Sequence, residues 1–509
     1  MPTAPGSYVT VTTAPPSPNG NAATGTWFVT GQTVQGPVGV AVPISSLSDF
    51  TNYFGPRVAT NTNGTLLYDS LDEFFHDGGV LAYVSRVPGA SAAYASVTLN
   101  DITTPVPGTS LKITACGPGA WASTGSNGAL AVTVAAGSAS NSYTLTVKYN
   151  GVQVGQTSPN LFTPADAVTW YASQPSWQTY ITVSLPSGAS GVIPATGSFS
   201  LTGGSDGMTA QEQAWTTALV PFVDTLGPGQ VSAPGHTSTA GYQALATHAY
   251  TFNRVAILDV ADSASAGTLV GQAQAVQNSS TALVPDASYC AMFAPWIIIP
   301  GISSTAPGAS SPVPNRLCPP SALAAACMAN NDRYNDANKA AAGTNGQSNF
   351  AIGVSNVYIN SDRDTLNAAG VDVILKQNNV TTVYGYRSLA TDPNWVPLTY
   401  VRFRMQMVND FNSIANGFVF GEIDGKGQLF SQLNGALAGR CQQYWLNNSL
   451  YGVNPADSFT INTGPQVNTP TTIASGQINA QVLVRLSPTA EIVTITVVKY
   501  LSNSSLPTI

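Results

Sequence analysis

The sequence changes its periodicity twice, and this change limits the folds that the chain can adopt. Segments with the spacing of helices and of strands alternate in residues 25–90 and again in residues 207–390. Between them, residues 91–206 contain runs in which apolar and polar residues alternate with the two-residue period of a strand. Such a β-rich stretch inside an interrupted α/β pattern is typical of an inserted domain. The sequence therefore predicts a discontinuous α/β core domain with an inserted all-β domain.

The two parts of the predicted core contain short apolar strands and helices with apolar residues three or four positions apart. Turn pairs such as Gly36-Pro37 and Gly55-Pro56 separate these elements, and Ser46 or Ser48 is expected to cap the first helix. We expect strands at 26–34, 40–44, 80–87, 254–260, 290–299 and 383–389. The first helix is expected to end at residue 54, and further helices are expected at 66–75, 240–250 and 321–331.

Residues 91–206 are expected to form a β-rich outer domain, because glycine, proline, serine and asparagine separate its alternating runs. The pair Asn150-Gly151 between two such runs predicts a tight hairpin. The expected strands lie at 110–115, 129–134, 143–149 and 178–185.

A smaller α+β domain is predicted for residues 391–486. Apolar residues recur at helical spacing in 401–415 and 427–446, and alternate in 477–486. Residues 1–24 and 487–509 are predicted to be extended arms: the first is rich in proline and glycine, and the second contains an apolar strand that no hairpin joins to the strand before it.

Charged residues are rare in this chain. They make up 8% of the sequence, against about 25% in an average soluble protein. The net charge is −7 and no basic run occurs, which argues against a nucleic-acid-binding protein. A surface with little like-charge repulsion can pack against copies of itself. Composition alone therefore favours a self-assembling protein no more than it favours a secreted, neutral, β-rich adhesin or coat protein.

The location of the protein is indicated by its cysteines and by its N-terminal residues. The five cysteines contain no Cys-x-x-Cys pair and no zinc spacing, which favours buried thiols in a reducing compartment. The first 48 residues carry no charged side chain, so the basic region of a signal peptide is missing. The most apolar segment, 290–302, is interrupted by prolines and too short to span a bilayer. We expect a protein made in a cytoplasm, without stable membrane insertion.

Candidate catalytic residues form no convincing site in the sequence. His76, His236 and His248 lie outside any metalloprotease spacing, and Cys290 falls within an apolar strand. The segment 203–207 lacks both the lysine of a phosphate-binding loop and the acids of a calcium loop. A secreted glycosidase would need a pair of opposed carboxylates, and the sequence does not place such acids opposite each other. The acids considered are Asp259, Asp332 and Asp336. The sequence predicts a non-enzyme without cofactor or metal.

Several segments, in order along the chain, match the motifs of one known protein family. The motif PGSYV at 5–9 resembles the opening arm of that family, and LDEFFHDGGVLAYVSRV at 71–87 resembles a core segment. The other similar segments are FVTG at 28–31, LKITACGPGAW at 111–121, 201–207, APWI at 294–297, PPS at 319–321 and VYGYRSL at 383–389. No single motif is decisive, but together and in this order they resemble the tail sheath proteins of contractile phages and related injection machines.

The resemblance implies a late structural protein of a virion tail, assembled in the cytoplasm of a host bacterium. Such subunits polymerise as stacked hexameric rings around a tail tube. They contract from a metastable extended state, which drives the tube through the host envelope for genome ejection during virus entry. The implied partners are other copies of the chain, the tube protein, the baseplate and the tail terminator, with no direct contact to nucleic acid.

The resemblance also suggests which residues meet other subunits. Two arm strands are expected to add to a small sheet in a neighbouring copy; their residues are Pro5, Gly6, Tyr8, Val9, Ile492, Val493, Thr494, Ile495, Thr496 and Val497. The helix at 427–446 is expected to face the tube. The candidates on or just before it are Lys426, Gln432, Arg440 and Gln443. This helix is less basic than the family pattern.

Overall fold

The computed structural model describes residues 24–57, 62–123, 129–278, 286–303 and 314–495, with residues 62–64 described by their backbone alone. The strands are β1 Trp27–Gly31, β2 Val42–Ile44, β3 Ala82–Arg86, β4 Ser96–Asn100, β5 Thr109–Ala115, β6 Leu130–Ala136, β7 Tyr143–Tyr149, β8 Val152–Val154, β9 Ile181–Ser184, β10 Gly197–Ser200, β11 Gln230–Ser232, β12 Val255–Asp259, β13 Cys290–Ala294, β14 Ile297–Ile299, β15 Arg316–Cys318, β16 Gly353–Val354, β17 Val371–Gln377, β18 Val380–Val383, β19 Phe459–Asn462 and β20 Gln481–Val484.

The helices are α1 Leu47–Phe54, α2 Thr62–His76, α3 Pro164–Tyr171, α4 Pro175–Gln178, α5 Glu212–Leu219, α6 Thr239–Thr251, α7 Ala266–Gln277, α8 Pro320–Asp332, α9 Asn360–Ala368, α10 Leu398–Asn416, α11 Gln428–Leu446, α12 Pro455–Ser458 and α13 Pro470–Ala474. The predicted cap of α1 is Ser46, whose side chain accepts a hydrogen bond from the backbone N–H of Asp49. None of the helices in these described ranges is both long and apolar enough to cross a membrane.

An eight-stranded sheet with the order β18-β17-β13-β12-β11-β1-β3-β2 forms the centre of the α/β part. The strands from β17 to β3 run parallel, and β18 and β2 are antiparallel edges. Both faces of β1 are buried: Trp27 and Val29 pack in one apolar core with α2 and α8, and Phe28 in another with α6 and α7. Burial on both faces explains why the parallel strands read as continuous apolar runs.

Two predicted strands differ from the structure. The segment 290–299 is two strands: β13 lies in the large sheet, whereas β14 pairs with β15 and β16 in a separate three-stranded sheet. Pro295 stands between them after a cis peptide bond with Ala294, and a proline without an N–H cannot continue the ladder. The segment 383–389 is also not a strand, because β18 ends at Val383 and the chain then leaves the sheet.

The inserted part has its own core. It contains the antiparallel sheets β10-β6-β7-β8 and β4-β5-β9, whose inner side chains form a separate apolar cluster that includes Leu111, Val132 and Trp177. The predicted hairpin at Asn150-Gly151 joins β7 to β8, and both residues have a positive φ, 49° and 81°, as the tight turn requires.

The prediction that this insertion is all-β was wrong in one respect, since α3 and α4 lie inside it. A capping box explains α3: Thr163 and Asp166 each bind the other's backbone N–H. Pro164 follows at the first helical position. These local signals were present in the sequence but were outweighed by the surrounding strand pattern.

The chain divides into two compact units, Met1–Ser413 and Ile414–Ile509. The first contains the large sheet and the insertion. The second contains α11, α12 and α13 and the two-stranded sheet of β19 and β20. Its predicted helix at 427–446 is confirmed as α11, and the predicted strand at 477–486 is the shorter β20.

Candidate assembly surfaces

The small sheet of the second unit has a fixed register. Strands β19 and β20 pair antiparallel from Phe459 opposite Val484 to Asn462 opposite Gln481. Buried Asn468 holds the long connection between them: its Nδ2 donates to the carbonyls of Thr463 (2.9 Å) and Asn479 (2.7 Å), and its Oδ1 accepts from the N–H of Asn479 (2.7 Å). The sheet is therefore pre-formed within one chain, although it has only two strands.

The outer edge of β20 offers unpaired backbone groups. The N–H of Arg485 donates to the carbonyl of Ser458 at 2.8 Å, so these two residues form a hydrogen-bonded pair. Hydrogen-bonded and non-hydrogen-bonded pairs alternate along an antiparallel ladder, so Val482 and Val484 turn their N–H and C=O groups outward. No hydrogen bond reaches these outward groups from any residue that the structure describes.

The outer edge of β19 is more occupied. The N–H of Phe459 donates to the carbonyl of Pro455, and the carbonyl of Ile461 accepts from Nδ2 of Asn434 at 3.4 Å. Of the two edges, β20 is therefore the better template for an added strand, because an open row of N–H and C=O groups pairs readily with another chain.

The segment that follows β20 leaves apolar side chains in solvent. Ile492, Val493 and Ile495 are 83%, 78% and 81% exposed, and Thr494 between them is exposed as well. Residues 491–495 form no strand within the chain. The remaining predicted arm residues, Pro5, Gly6, Tyr8, Val9, Thr496 and Val497, lie outside the described residues. Donation of either arm to a neighbour stays a prediction.

Helix α11 has one buried and one exposed face. Its buried side chains are Leu433, Leu437, Cys441 and Tyr444. Gln432 and Gln443 are exposed, and Lys426 is exposed just before the helix begins. Arg440 is half-buried: its guanidinium donates to Oε1 of Gln443 at 2.9 Å and lies 4.5 Å from the ring centroid of Tyr444. The candidate tube-facing residues therefore lie on α11 or just before it. Their contact with a tube stays a prediction.

The first residues that the structure describes are anchored in the core. Oγ1 of Thr24 donates to Oδ2 of Asp332 at 2.6 Å, and Nη2 of Arg402 binds the same Oδ2 at 2.6 Å and the Thr24 carbonyl at 3.3 Å. Arg402 also donates to the Tyr386 hydroxyl at 3.0 Å. Burial lowers the pKa of Arg402, but the Asp332 carboxylate outweighs it and leaves that pKa raised. The Asp332–Arg402 ion pair therefore joins α8 to α10, and both of its members bind Thr24, the first residue that the structure describes.

A second buried ion network joins α2 to β15. Nη1 of Arg316 binds Asp69, and its Nη2 lies 2.6 Å from Oδ2 of Asp72. Arg57 completes the network with two hydrogen bonds of 2.9 Å to the Asp69 carboxylate. Sequence reasoning missed both networks, because their partners are separated by up to 378 positions and no local pattern connects them.

The residues considered for catalysis have structural partners. His248 is buried and its Nε2 is 2.8 Å from Nη1 of Arg254; burial and this guanidinium lower the pKa of His248 to about 3. Cys290 is buried in β13, and burial raises the pKa of its thiol. His76 stacks on Phe350 at 4.0 Å. His236 lies 3.0 Å from Oε2 of Glu212.

The three acids considered for a glycosidase are also engaged. Asp332 pairs with Arg402, and Asp336 accepts a hydrogen bond from Nε2 of Gln406 at 2.9 Å. Asp259 accepts from the N–H of Gly235 and from the N–H and hydroxyl of Ser321. Among the described residues, no group of three or more His, Cys, Asp or Glu is placed to hold a metal ion.

Asp259 should make the stability of the first unit depend on pH. Burial raises the pKa of this carboxyl from 3.8 to about 6, so the folded state binds a proton that the unfolded state has released. The free energy of unfolding should therefore fall by on the order of 3 kcal/mol as the pH rises from 3.8 to 6. Unfolding curves at pH 4 and pH 6.5 measure this change.

Asp259→Asn should remove this contribution, so its pH dependence should be flatter than that of the unmodified protein. The matched control is Asp262→Asn, since Asp262 is exposed on the loop after the same strand. Equal pH dependence in all three proteins would contradict the assignment.

Sequence comparison found no matching protein-family model and no matching curated protein. Structural comparison gave several similar chains. The sheath tail protein Lin1278 from Listeria innocua has a TM-score of 0.60 at 12% identity, and the match covers 87% of this chain and 91% of that one. The helical sheath of the anti-feeding prophage in the contracted state has a TM-score of 0.55 at 15% identity, covering 99% of this chain and 100% of that one. The fold is that of contractile sheath proteins.

A third sheath structure agrees with this fold. The sheath complex of an extracellular contractile injection system, PVC, in the contracted state has a TM-score of 0.53 at 13% identity, and 99% of each chain is covered. The match to sheath structures therefore covers nearly the whole chain. The resemblance predicted from ordered motifs is confirmed at the level of fold.

Proposed function

We propose that this chain is the structural subunit of a contractile tail sheath. The observation that carries the proposal is the sheath fold over 99% of the chain, matched to sheaths in the contracted state. The engaged histidines and acids support a structural role, because each has a partner within the fold. The predicted domain boundaries, 25–90 with 207–390, 91–206 and 391–486, belong to this proposal.

Neighbouring copies exchange terminal strands in the proposed assembly. The open edge of β20 offers outward N–H and C=O groups, and the exposed apolar segment around Ile492, Val493 and Ile495 supplies a strand. Pairing along a sheet edge needs main-chain hydrogen bonds and little sequence specificity. Such links keep subunits connected while they rotate, and the N-terminal arm supplies a second link of the same kind.

The proposed machine is a stack of hexameric rings around a tail tube, joined to a baseplate below and a terminator above. The extended lattice is higher in free energy and kinetically trapped, and contraction releases a few kcal/mol per subunit. In a phage this movement drives the tube through the host envelope for genome ejection. Assembly takes place in the cytoplasm of the host bacterium, and the product is part of the virion tail.

Electron microscopy of the purified full-length protein tests this function. We expect hollow tubes built from stacked six-fold rings, because the arms of one copy are completed only by another. Analytical ultracentrifugation of the same sample should show large polymers rather than a single monomer peak. A monodisperse monomer at every protein concentration would argue against a sheath and in favour of a β-rich coat or adhesin.

A further inference from the structure

A phenylalanine lies fully in solvent at the tip of the loop between α10 and α11. Phe420 is 102% exposed and the neighbouring Val419 is 58% exposed. The carbonyl of Phe418 accepts a hydrogen bond from the N–H of Gly421 at 3.0 Å, so residues 418–421 form a tight turn. Phe420 occupies the third position with φ of +65°, where glycine or asparagine is usual. This short apolar projection, Val419 and Phe420, is called the knob.

The knob is unfavourable for an isolated chain on two counts. A left-handed backbone costs a bulky residue about 1–2 kcal/mol, and a fully exposed aromatic ring gives up the stabilisation that burial provides. Backbone strain of this kind is concentrated at binding and switching sites. The position of Phe420 therefore points to a partner surface that buries the ring.

The first unit contains a cavity with room for such a ring. Its volume is about 310 Å³, and a dry apolar cavity of about 150 Å³ suffices to bind benzene. It lies beside α5. Its apolar lining comes from Val38, Pro88, Ala90, Ala214 and Ala218.

Arg86 also lines the cavity, and its buried guanidinium is held by backbone carbonyls. Both Nη atoms donate to such carbonyls, including those of Gly36 (2.8 Å) and Pro118 (2.7 Å). Its Nε is buried and bonds to no residue in the part of the chain that the structure describes. Burial lowers the pKa of Arg86 to about 10.

We propose that the knob of one copy inserts into the α5 cavity of a second copy. This inference rests on the proposed sheath function and adds a side-chain contact to the exchange of strands. The ring of Phe420 would fill the apolar lining of the cavity. The two surfaces are complementary in shape and polarity, since the loop contributes an exposed aromatic ring and the cavity an apolar wall.

The contact joins two different surfaces of identical chains. Each copy carries one knob and one cavity, so every copy can insert into one neighbour and receive another. Such a heterologous contact propagates as a ring or a helix and does not stop at a dimer.

Photo-crosslinking tests the contact directly. The full-length protein is made with benzoylphenylalanine in place of Phe420, polymerised and irradiated, and the linked peptides are identified by mass spectrometry. We expect crosslinks to residues 86–90 or 211–218 of a second copy. Crosslinks from intact polymers to any other region would overturn this inference and leave the sheath proposal standing. Failure of the unmodified protein to polymerise would count against the sheath proposal itself.

Paired variants give an independent test. Phe420→Ala should raise the protein concentration needed for polymerisation about 30-fold, the usual effect of removing an aromatic hot spot. Val453→Ala, a 92% exposed residue elsewhere in the second unit, is its control and should change little. Ala214→Phe should block the cavity, whereas Thr216→Phe adds the same ring on α5 outside it. Equal behaviour of each variant and its control would refute the contact.

A mixture of the Phe420→Ala and Ala214→Phe chains tests whether the knob of one copy and the cavity of another act as a pair. Phe420→Ala chains keep the cavity, and Ala214→Phe chains keep the knob. Neither variant alone can form the contact, but one of each can form a single knob-and-cavity pair. Benzoylphenylalanine is placed at position 420 of the Ala214→Phe chain. In the mixture, we expect it to crosslink to residues 211–218 of the Phe420→Ala chain. Absence of that crosslink in the mixture would overturn the inference.

Discussion

Removal of residues 490–509 should abolish tube formation while the rest of the chain stays folded. Residues 490–495 are exposed and belong to no strand of their own chain, so the loss of this described part removes no intramolecular strand. A link of about ten main-chain hydrogen bonds contributes at least about 5 kcal/mol, more than a thousandfold in the association constant. Sedimentation and electron microscopy should show soluble particles in place of tubes, with an unchanged circular dichroism spectrum.

Two substitutions of Thr494 distinguish the effect of lost strand pairing on polymerisation from the effect of lost apolar surface. Thr494→Pro removes one backbone N–H from the donated strand and should weaken polymerisation strongly. Thr494→Val keeps that N–H and a β-branched side chain, so tubes should form as before. Normal polymerisation of the truncated chain would show that this segment does not link the subunits.

Asp332→Asn should lower the free energy of unfolding of the first unit by about 3–5 kcal/mol. The substitution leaves the Arg402 guanidinium buried without its counter-ion, and removing one member of a buried pair has an effect of this size. It also weakens the attachment of Thr24, whose hydroxyl donates to the same carboxylate oxygen. Urea unfolding of the unpolymerised protein, followed by tryptophan fluorescence, measures the loss.

A double substitution serves as the control for this effect. Arg402→Met together with Asp332→Leu removes both charges, and replacing a buried pair by apolar side chains of similar size is often neutral. The double variant should therefore be clearly more stable than Asp332→Asn alone. If the single variant unfolds at the same urea concentration as the unmodified chain, the ion pair does not hold this part of the fold.

Local signals in the sequence were sufficient for elements whose ends are fixed by nearby residues. The Ser46 cap, the Asn150-Gly151 hairpin and the long amphipathic helix α11 all agree with the structure. In each case the determining interactions connect residues only a few positions apart, so the pattern and the structure carry the same information.

Elements that depend on distant partners were harder to predict. The apolar segment 290–299 does not reveal that its two halves belong to different sheets, since β13 pairs with β12 and β14 pairs with β15. Apolar runs of this length favour a strand without indicating its neighbours. Helix α3 was missed because its cap signal stands among strand patterns.

The candidate assembly surfaces were only partly visible in the sequence. The apolar segment at 492–498 was predicted to be an unprotected strand, and the residues described there are exposed. Phe420 gave no periodic signal, because it lies in a turn where exposure depends on the backbone. The α5 cavity combines residues from 38 to 218 and could be found only in three dimensions.

In the part of the chain that the structure describes, four arginines, Arg86, Arg254, Arg316 and Arg402, are buried, which is nearly a quarter of the 17 basic residues in the sequence. The outer surface is therefore poorer in cations than the composition suggests. Dissolved ions have few exposed charges to screen on such a surface. Copies of this chain would recognise one another chiefly by shape and hydration, and their association would be far more sensitive to temperature than to ionic strength.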